Sequence, residues 1–387
     1  MTTMEDLYPL PFSVEEFRAR NDAVRRRMQE AGVDVLLLTS PENIYYLSGY
    51  HSLGYFTFQM MFLPVDGEPF ILTRYLNTDT VRIMAWFDNV EGYQDTENVF
   101  DATWRCLEKY GLQNARIASQ DDAWFFSVKQ YRDLVARLGR EPVDCSGIVE
   151  QVRMIKSDAE VAYIKRAGEC CAASMTAAMD AIRPGATDND VSAAGHYGLH
   201  KAGSEYLGHS AQFVTGIAAG TAFECAKRRP IRDNDVFYIE AGGTYERYNA
   251  MLSRTAIIGK PDQRWVDMAL ASRDSLNAGL AAIKPGATSG DVDKAARDVI
   301  EKAGFAEGFR HRTGYAIGIG FPPDWGEGRI ASLREGDPLV LEPNMVFHLI
   351  PDIKYPGEGG VVFSECIRVT ETGYELLTPY SQDIVYR

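Results

Sequence analysis

Apolar positions fall into short clusters that alternate with amphipathic stretches through the first 150 residues. Phe12 to Gly32 carries Phe17, Val24 and Met28 among arginines and glutamates, a spacing that predicts a surface helix. Asp34-Val-Leu-Leu-Leu-Thr follows as a continuous apolar run, expected for a buried strand. Runs at Met60-Met-Phe-Leu-Pro, Phe70-Ile-Leu-Thr and Ala115-Arg-Ile-Ala-Ser read as further strands, with helical stretches near 101–110 and 126–138 between them. This alternation predicts an α/β domain over residues 1–150. The pattern then lengthens into a helix from Ser157 to Met179, opened by Ser157-Asp-Ala-Glu, a capping box in which the serine and the glutamate three residues on cap each other's amides. The domain boundary is placed just before that helix, leaving 151–387 as a second domain.

The second domain contains a repeat. Ala181-Ile-Arg-Pro-Gly-Ala-Thr-Asp-Asn-Asp-Val returns as Ala282-Ile-Lys-Pro-Gly-Ala-Thr-Ser-Gly-Asp-Val, and Lys201-Ala-Gly returns as Lys302-Ala-Gly at the same offset. In each copy one helix ends at Pro-Gly, another opens at Asp190 or Asp291, and Lys-Ala-Gly closes it. Strand pairs follow: Val236–Glu240 with Thr255–Gly259, and Val346–Ile350 with Ile367–Thr370. Two copies of helix–helix–hairpin predict a pseudo-twofold domain with a sheet joined at its centre and a cleft lined by the hairpins.

Composition narrows the function. A chain of 387 residues exceeds what one core usually organises. The formal charge of −14, with no lysine or arginine stripe, opposes binding to nucleic-acid phosphates. The first residues lack the basic and apolar regions of a signal peptide, and no run approaches the roughly 18 apolar residues of a membrane span, so a cytoplasmic location without membrane contact is expected. The six cysteines form no CxxC pair and read as reduced thiols.

The duplicated second half resembles the pita-bread fold of the creatinase/prolidase superfamily, and the resemblance covers nearly the whole chain. Asp34 to Tyr50 is similar to the N-terminal domain of its creatinase and prolidase branches, and Arg153-Met-Ile-Lys-Ser-Asp-Ala-Glu to their entry into the catalytic domain. The resemblance implies that metal-dependent members hold two ions with two aspartates, a histidine and two glutamates. Anchored on Ser253-Arg-Thr, those positions fall on Glu240 and Met251, on Tyr315 within Gly314-Tyr-Ala-Ile-Gly, on Glu342 of Glu342-Pro343, and on Ser364 with Glu365 beside it. Methionine and a neutral phenol are poor ligands for hard divalent ions, so neither a metal centre nor another cofactor is expected. The stretch Arg312 to Glu327, with Phe-Pro-Pro-Asp-Trp-Gly-Glu at its end, and Val340 to His348 resemble the ectoine hydrolase branch more than the peptidase branches.

That likeness implies metal-independent hydrolysis of a non-peptide C–N bond in a small zwitterion, an ectoine-like cyclic amidine first of all. Such chemistry needs a carboxylate as nucleophile or as base for water, and an acid for the leaving nitrogen. Glu240, at the end of an apolar strand, is the candidate for the first role, and Glu342 and Glu365 for proton transfer. Tyr315 is a candidate hydrogen-bond donor to developing charge, or else a packed core tyrosine. Arg254 is a candidate for a substrate carboxylate, or else a structural ion-pair partner. Asp324 and Trp325 would cover a cationic ligand, or form a stiff surface turn. Tyr248 and His348 complete the predicted binding set, and His311, like His348, lies in a segment bordering the cleft. The resemblance also implies a homodimer, with the loop Tyr50-His-Ser-Leu-Gly-Tyr-Phe-Thr-Phe near the partner's cleft. Rival readings are a metal-dependent Xaa-Pro dipeptidase with rearranged ligands, a creatinase-type amidinohydrolase, and an inactive member that binds a small molecule.

Overall fold

The structure is a computed structural model that describes residues 8–260 and 262–387. Its chain divides into two compact units, one through Arg153 and one of Met154–Arg387.

The first unit is built on a six-stranded mixed sheet. Its elements run α1 (Val14–Glu30), β1 (Val35–Leu38), α2 (Pro41–Ser48), β2 (Met60–Pro64), β3 (Phe70–Arg74), α3 (Thr78–Met84), β4 (Val90–Tyr93), α4 (Val99–Lys109), β5 (Ile117–Ser119), α5 (Val128–Leu138), β6 (Val143–Asp144) and α6 (Glu150–Arg153). The strand order is β4-β3-β2-β1-β5-β6. All four residues of β1 are buried, as the unbroken run Val-Leu-Leu-Leu requires of a strand covered on both faces. In the segment after α2, Leu53 and Phe56 are exposed.

The second unit carries the repeat. It opens with α7 (Asp158–Ala181), α8 (Asp188–Lys201), β7 (Gln212–Thr215), β8 (Val236–Tyr245) and β9 (Tyr248–Ile257). Its second copy is α9 (Gln263–Ala282), α10 (Ser289–Lys302), β10 (Gly314–Ala316), β11 (Ser332–Leu333), β12 (Val346–Leu349), β13 (Ile353–Tyr355), β14 (Gly359–Val361), β15 (Glu365–Val369), β16 (Tyr374–Leu376) and β17 (Val385–Tyr386). The repeated helices start identically, one residue set earlier than the pattern indicates. Thr187 and Thr288 are the N-caps, and Asp190 and Asp291 are the third helical residues that complete each capping box.

The first hairpin is continuous: β8 and β9 pair over ten residues across a turn at Glu246 and Arg247. In the second, β12 pairs with β15 while the short β13–β14 hairpin intervenes between them. The strands form a four-stranded sheet β17-β9-β8-β7 and a five-stranded sheet β11-β10-β12-β15-β16, separate ladders rather than one sheet. They meet at a seam where the Ser364 amide donates to the Ser253 carbonyl at 3.1 Å and the Thr255 hydroxyl bridges the Val362 amide and carbonyl. Buried side chains of β12, β15, α9 and α10 make one core cluster, and those of α7, β8 and β9 another. Among the described residues no helix is long and apolar enough to cross a membrane.

Candidate functional site

Beside that seam the second unit encloses a cavity of about 670 Å³, lined by side chains that include Gln212, Glu240, His311, Tyr315, Asp352 and Lys354. Glu240 reaches it because β8 alternates. Ile239 packs into the core of α7 and β9, so Glu240 turns to the other face. Directly across on β9 stands Ser253, and two residues along, Gly242 faces Met251. Glu240 is 5% exposed. Gln212 donates to its Oε2 at 2.5 Å, and the Tyr238 hydroxyl fixes Gln212 by donating to Oε1 of the amide at 2.7 Å. Among the described residues no group bonds Oε1 of Glu240, and Glu240 lines the cavity. Burial pushes its carboxyl up to about 7, against the opposing pull of the nearby Lys354 ammonium.

A chain of charges lies against Glu240. Asp352 accepts from Lys354 at 2.7 Å through one oxygen and from His311 Nε2 at 2.8 Å through the other. His311 Nδ1 stands 2.6 Å from the Arg312 carbonyl. Both ring nitrogens therefore face acceptors, an arrangement that only the imidazolium satisfies fully. Burial alone would favour the neutral ring, but Asp352 raises the His311 pKa above its ordinary value. Burial works against the Asp352 charge too, yet Lys354 and His311 bring its carboxyl down to about 2.

Tyr315 is held from behind. Its oxygen accepts from the Trp325 indole N–H at 3.2 Å and lies 3.1 Å from His348 Nδ1, while His348 Nε2 lies 2.7 Å from Ser364 Oγ. Burial lowers the His348 pKa to about 3, so the ring is neutral. Two tautomers satisfy the chain. With the proton on Nε2, His348 donates to Ser364 and Tyr315 spends its proton on Nδ1. With the proton on Nδ1, Tyr315 accepts twice and its own O–H is free for the cavity.

Several expected roles are corrected by position. Glu342 is exposed on the turn before β12 and is absent from the cavity wall. The residue before proline that does line the wall is Ile350, at the end of β12, which brings no donor. Glu365 is buried on another side of its strand, paired with Arg254 and Thr378 and bonded by Gln382 at 3.2 Å. It has no route to proton transfer in the cavity. Arg254 is consumed as well: besides Glu365, it donates to the carbonyls of Ser253, Ser364, Tyr380 and Ser381. It pins the hairpin and has no donor for a substrate.

Tyr248 is fully buried and donates to Glu160 at 2.8 Å, a packing role. Trp325 is buried behind Tyr315 rather than over a ligand, against Gly242, where a side-chain carbon would come within 2.6 Å of the indole. Asp324 is exposed and caps the Gly326 amide at 2.9 Å. His348 touches Tyr315 and Ser364 and is not on the wall. Gln212, Arg310, Asp352 and Lys354 had been passed over in the sequence. Asp352 and Lys354 lie in Pro351-Asp-Ile-Lys-Tyr-Pro, a run too short to be read as a strand from its pattern.

The family's metal pair does not fit this site. The five positions that would hold it present two carboxylates, of which only Glu240 lines the cavity while Glu342 is exposed, with a thioether, a phenol already hydrogen-bonded, and a serine hydroxyl bonded to His348, and hard divalent ions need several anionic oxygens or imidazoles. Among the described residues no group of three or more His, Cys, Asp or Glu side chains is arranged to hold a metal ion.

Comparison with known proteins places this geometry in context. Residues 162–371 match the model of metallopeptidase family M24, and residues 20–155 that of the creatinase/prolidase N-terminal domain. The chain is 30% identical to an ectoine hydrolase of Halomonas elongata, over 97% of this chain and 98% of that one. It is 27% identical to an Xaa-Pro dipeptidase of Lactobacillus delbrueckii subsp. lactis, over 94% and 97%. Among solved structures, dipeptidase PepE from Mycobacterium ulcerans superposes with a TM-score of 0.84 at 26% identity, covering 97% of this chain and 99% of that one.

Proposed function

The chain belongs to metallopeptidase family M24, a family of hydrolases, and from that premise we propose that it hydrolyses a non-peptide C–N bond of a small zwitterionic metabolite without a metal, an ectoine-like cyclic amidine being the substrate that the similarity at 30% identity favours. The observation that carries this reading is Glu240: a carboxylate with one oxygen unbonded among the described residues, lining a cavity on whose wall no other expected ligand position brings a carboxylate or an imidazole. With Glu342 and Glu365 away from the cavity, one carboxyl serves both proton transfers. Glu240 takes a proton from water as the water oxygen bonds to the amidinium carbon and the C=N π pair moves onto nitrogen. The C–N bond then breaks with its electron pair on the leaving nitrogen, which takes back the proton from Glu240 and gains the remaining proton of the former water as the carbonyl forms, giving an amide and an ammonium. A pKa of about 7 suits a group that must accept and release a proton at neutral pH. Lys354 and the Asp352–His311 pair hold the surrounding charge fixed, and Tyr315, in the tautomer that frees its proton, donates to the developing charge.

The test is turnover of ectoine, creatine and Xaa-Pro dipeptides by protein treated with chelator, beside Glu240→Gln. Ring opening of ectoine that survives chelation and falls by about 10²-fold or more in Glu240→Gln is the expected result. Turnover of dipeptides alone, lost on chelation and restored by manganese, would overturn it in favour of the dipeptidase reading that the Lactobacillus relative represents.

A further inference from the structure

Four cationic side chains line the cavity, Arg310, His311, Arg312 and Lys354, against two carboxylates, Glu240 and Asp352. The chain as a whole carries −14, so this wall is a local reversal of sign. Three of the four cations are committed. Lys354 holds Asp352, and His311 is fixed between Asp352 and the Arg312 carbonyl. Arg312 donates to Ser332 Oγ at 2.8 Å and to the Gly328 carbonyl at 3.3 Å, with its guanidinium 5.0 Å from the Tyr315 ring centre.

Arg310 differs. Its Nη2 donates to the Lys354 carbonyl at 2.9 Å, which orients the guanidinium, and no carboxylate among the described residues pairs with it. A guanidinium has five N–H donors in a fixed fork, so an edge remains for a planar anion. We infer that Arg310 is the anchor for a carboxylate on the substrate, the role that Arg254 cannot fill.

This inference rests on the proposed reading and deepens it. The substrate is a small carboxylate whose other end bears the C–N group presented to Glu240. The neighbouring His311 imidazolium and Lys354 ammonium add positive potential without using their own donors on the ligand. A phosphate would satisfy the same fork, and the test separates the two.

The experiment uses the full-length protein with Arg310→Met, which keeps the stem and removes the charge, and Arg310→Lys. Ectoine and its neutral carboxamide are compared by steady-state kinetics and, in the Glu240→Gln background, by calorimetric binding. Loss of a charged hydrogen-bond pair predicts a KM and Kd for ectoine raised on the order of 10- to 100-fold in Arg310→Met, with kcat within about threefold, the pH profile in place, and Arg310→Lys between. The carboxamide should bind wild type and variant alike. Equal affinity of wild type and Arg310→Met for ectoine would overturn the anchor while leaving the hydrolase reading intact.

If ectoine is neither bound nor opened, the functional reading falls, and the anchor is judged on Xaa-Pro dipeptides against their C-terminal amides. Discrimination of acid from amide that disappears in Arg310→Met upholds it, and no Arg310-dependent binding of any carboxylate in either series overturns it. Inorganic phosphate competing better than acetate of equal concentration would overturn the assignment to carboxylate.

Discussion

At the scale of single residues, the chemistry depends on how far burial and fixed charge move one carboxyl. Glu240 has an ordinary value of 4.5 and stands at about 7 in the folded chain. A carboxyl whose folded pKa is raised binds its proton more tightly when folded. Its contribution to stability is therefore full below about 4.5 and is lost as pH rises through about 7. Activity runs the other way, because the base must be ionised. Glu240→Gln cannot ionise, so its melting temperature relative to wild type should climb between pH 5 and pH 8, by an amount equivalent to at most about 3 kcal/mol. The rising limb of wild-type kcat/KM should fall in the same window. Gln212, Tyr238, Lys354, Asp352, His311, Tyr315 and Cys366 are the polar and titratable groups about this carboxyl, and the limb belongs to the coupled set. A difference in melting temperature that stays flat across the range would show that Glu240 is not raised.

At the scale of elements, the site lies where the two copies of the repeat meet, and glycine decides how closely the segment after β10 approaches β8. Gly242 lies two residues from Glu240 on the same face of β8, and Trp325 occupies the space its missing side chain leaves. The indole in turn holds the Tyr315 hydroxyl. Gly242→Ala places a methyl where no carbon fits, so overpacking should cost about 1–3 kcal/mol and push the indole from Tyr315. The expected outcome is a lower melting temperature together with a lower kcat; a kcat at the wild-type level in the same variant would detach Trp325 from the function of Tyr315. The repeat itself was legible without coordinates, since Ala-Ile-x-Pro-Gly-Ala-Thr and Lys-Ala-Gly recur at one offset; the structure then adds Thr187 and Thr288 as caps of equivalent helices. The β13–β14 insertion into the second hairpin was not legible, because Pro351-Asp-Ile-Lys-Tyr-Pro is too short to declare a strand by its apolar pattern alone.

At the scale of the molecule, an acidic chain of family M24 keeps an architecture whose sheets, helices and seam are held by core packing and backbone bonds rather than by the side chains of the cavity. Assembly is a separate matter. Leu53 and Phe56 in the segment after α2 are 66% and 79% exposed, and neighbouring large apolar side chains left open are a reason for a protein surface to seek a partner. Sedimentation of the native protein should give a homodimer, and Leu53→Ser with Phe56→Ser should shift it toward the monomer. A monomer for the native chain at micromolar concentration would remove this part of the reading.

The sequence by itself determined the long helices, the main apolar strands, the internal repeat and the placing of Glu240 at the end of an apolar strand, because periodicity and capping are local and are written in consecutive residues. The resemblance implied that metal-ligand positions fall on Met251, Tyr315 and Ser364. Only the tertiary structure decided which of the remaining charges work in the cavity. Glu365 looked available, and Arg254 stood open between substrate anchor and structural ion pair, until the fold paired the two across 111 residues of chain; Arg254 also meets Ser381 127 residues on. Glu342 seemed to keep the family's Glu-Pro until β12 carried Ile350 to the wall and left the glutamate on a turn. Arg310 acquired significance only by being left with donors to spare. Whether a polar group is spent or free depends on partners distant in sequence, and that is decided when the chain closes on itself.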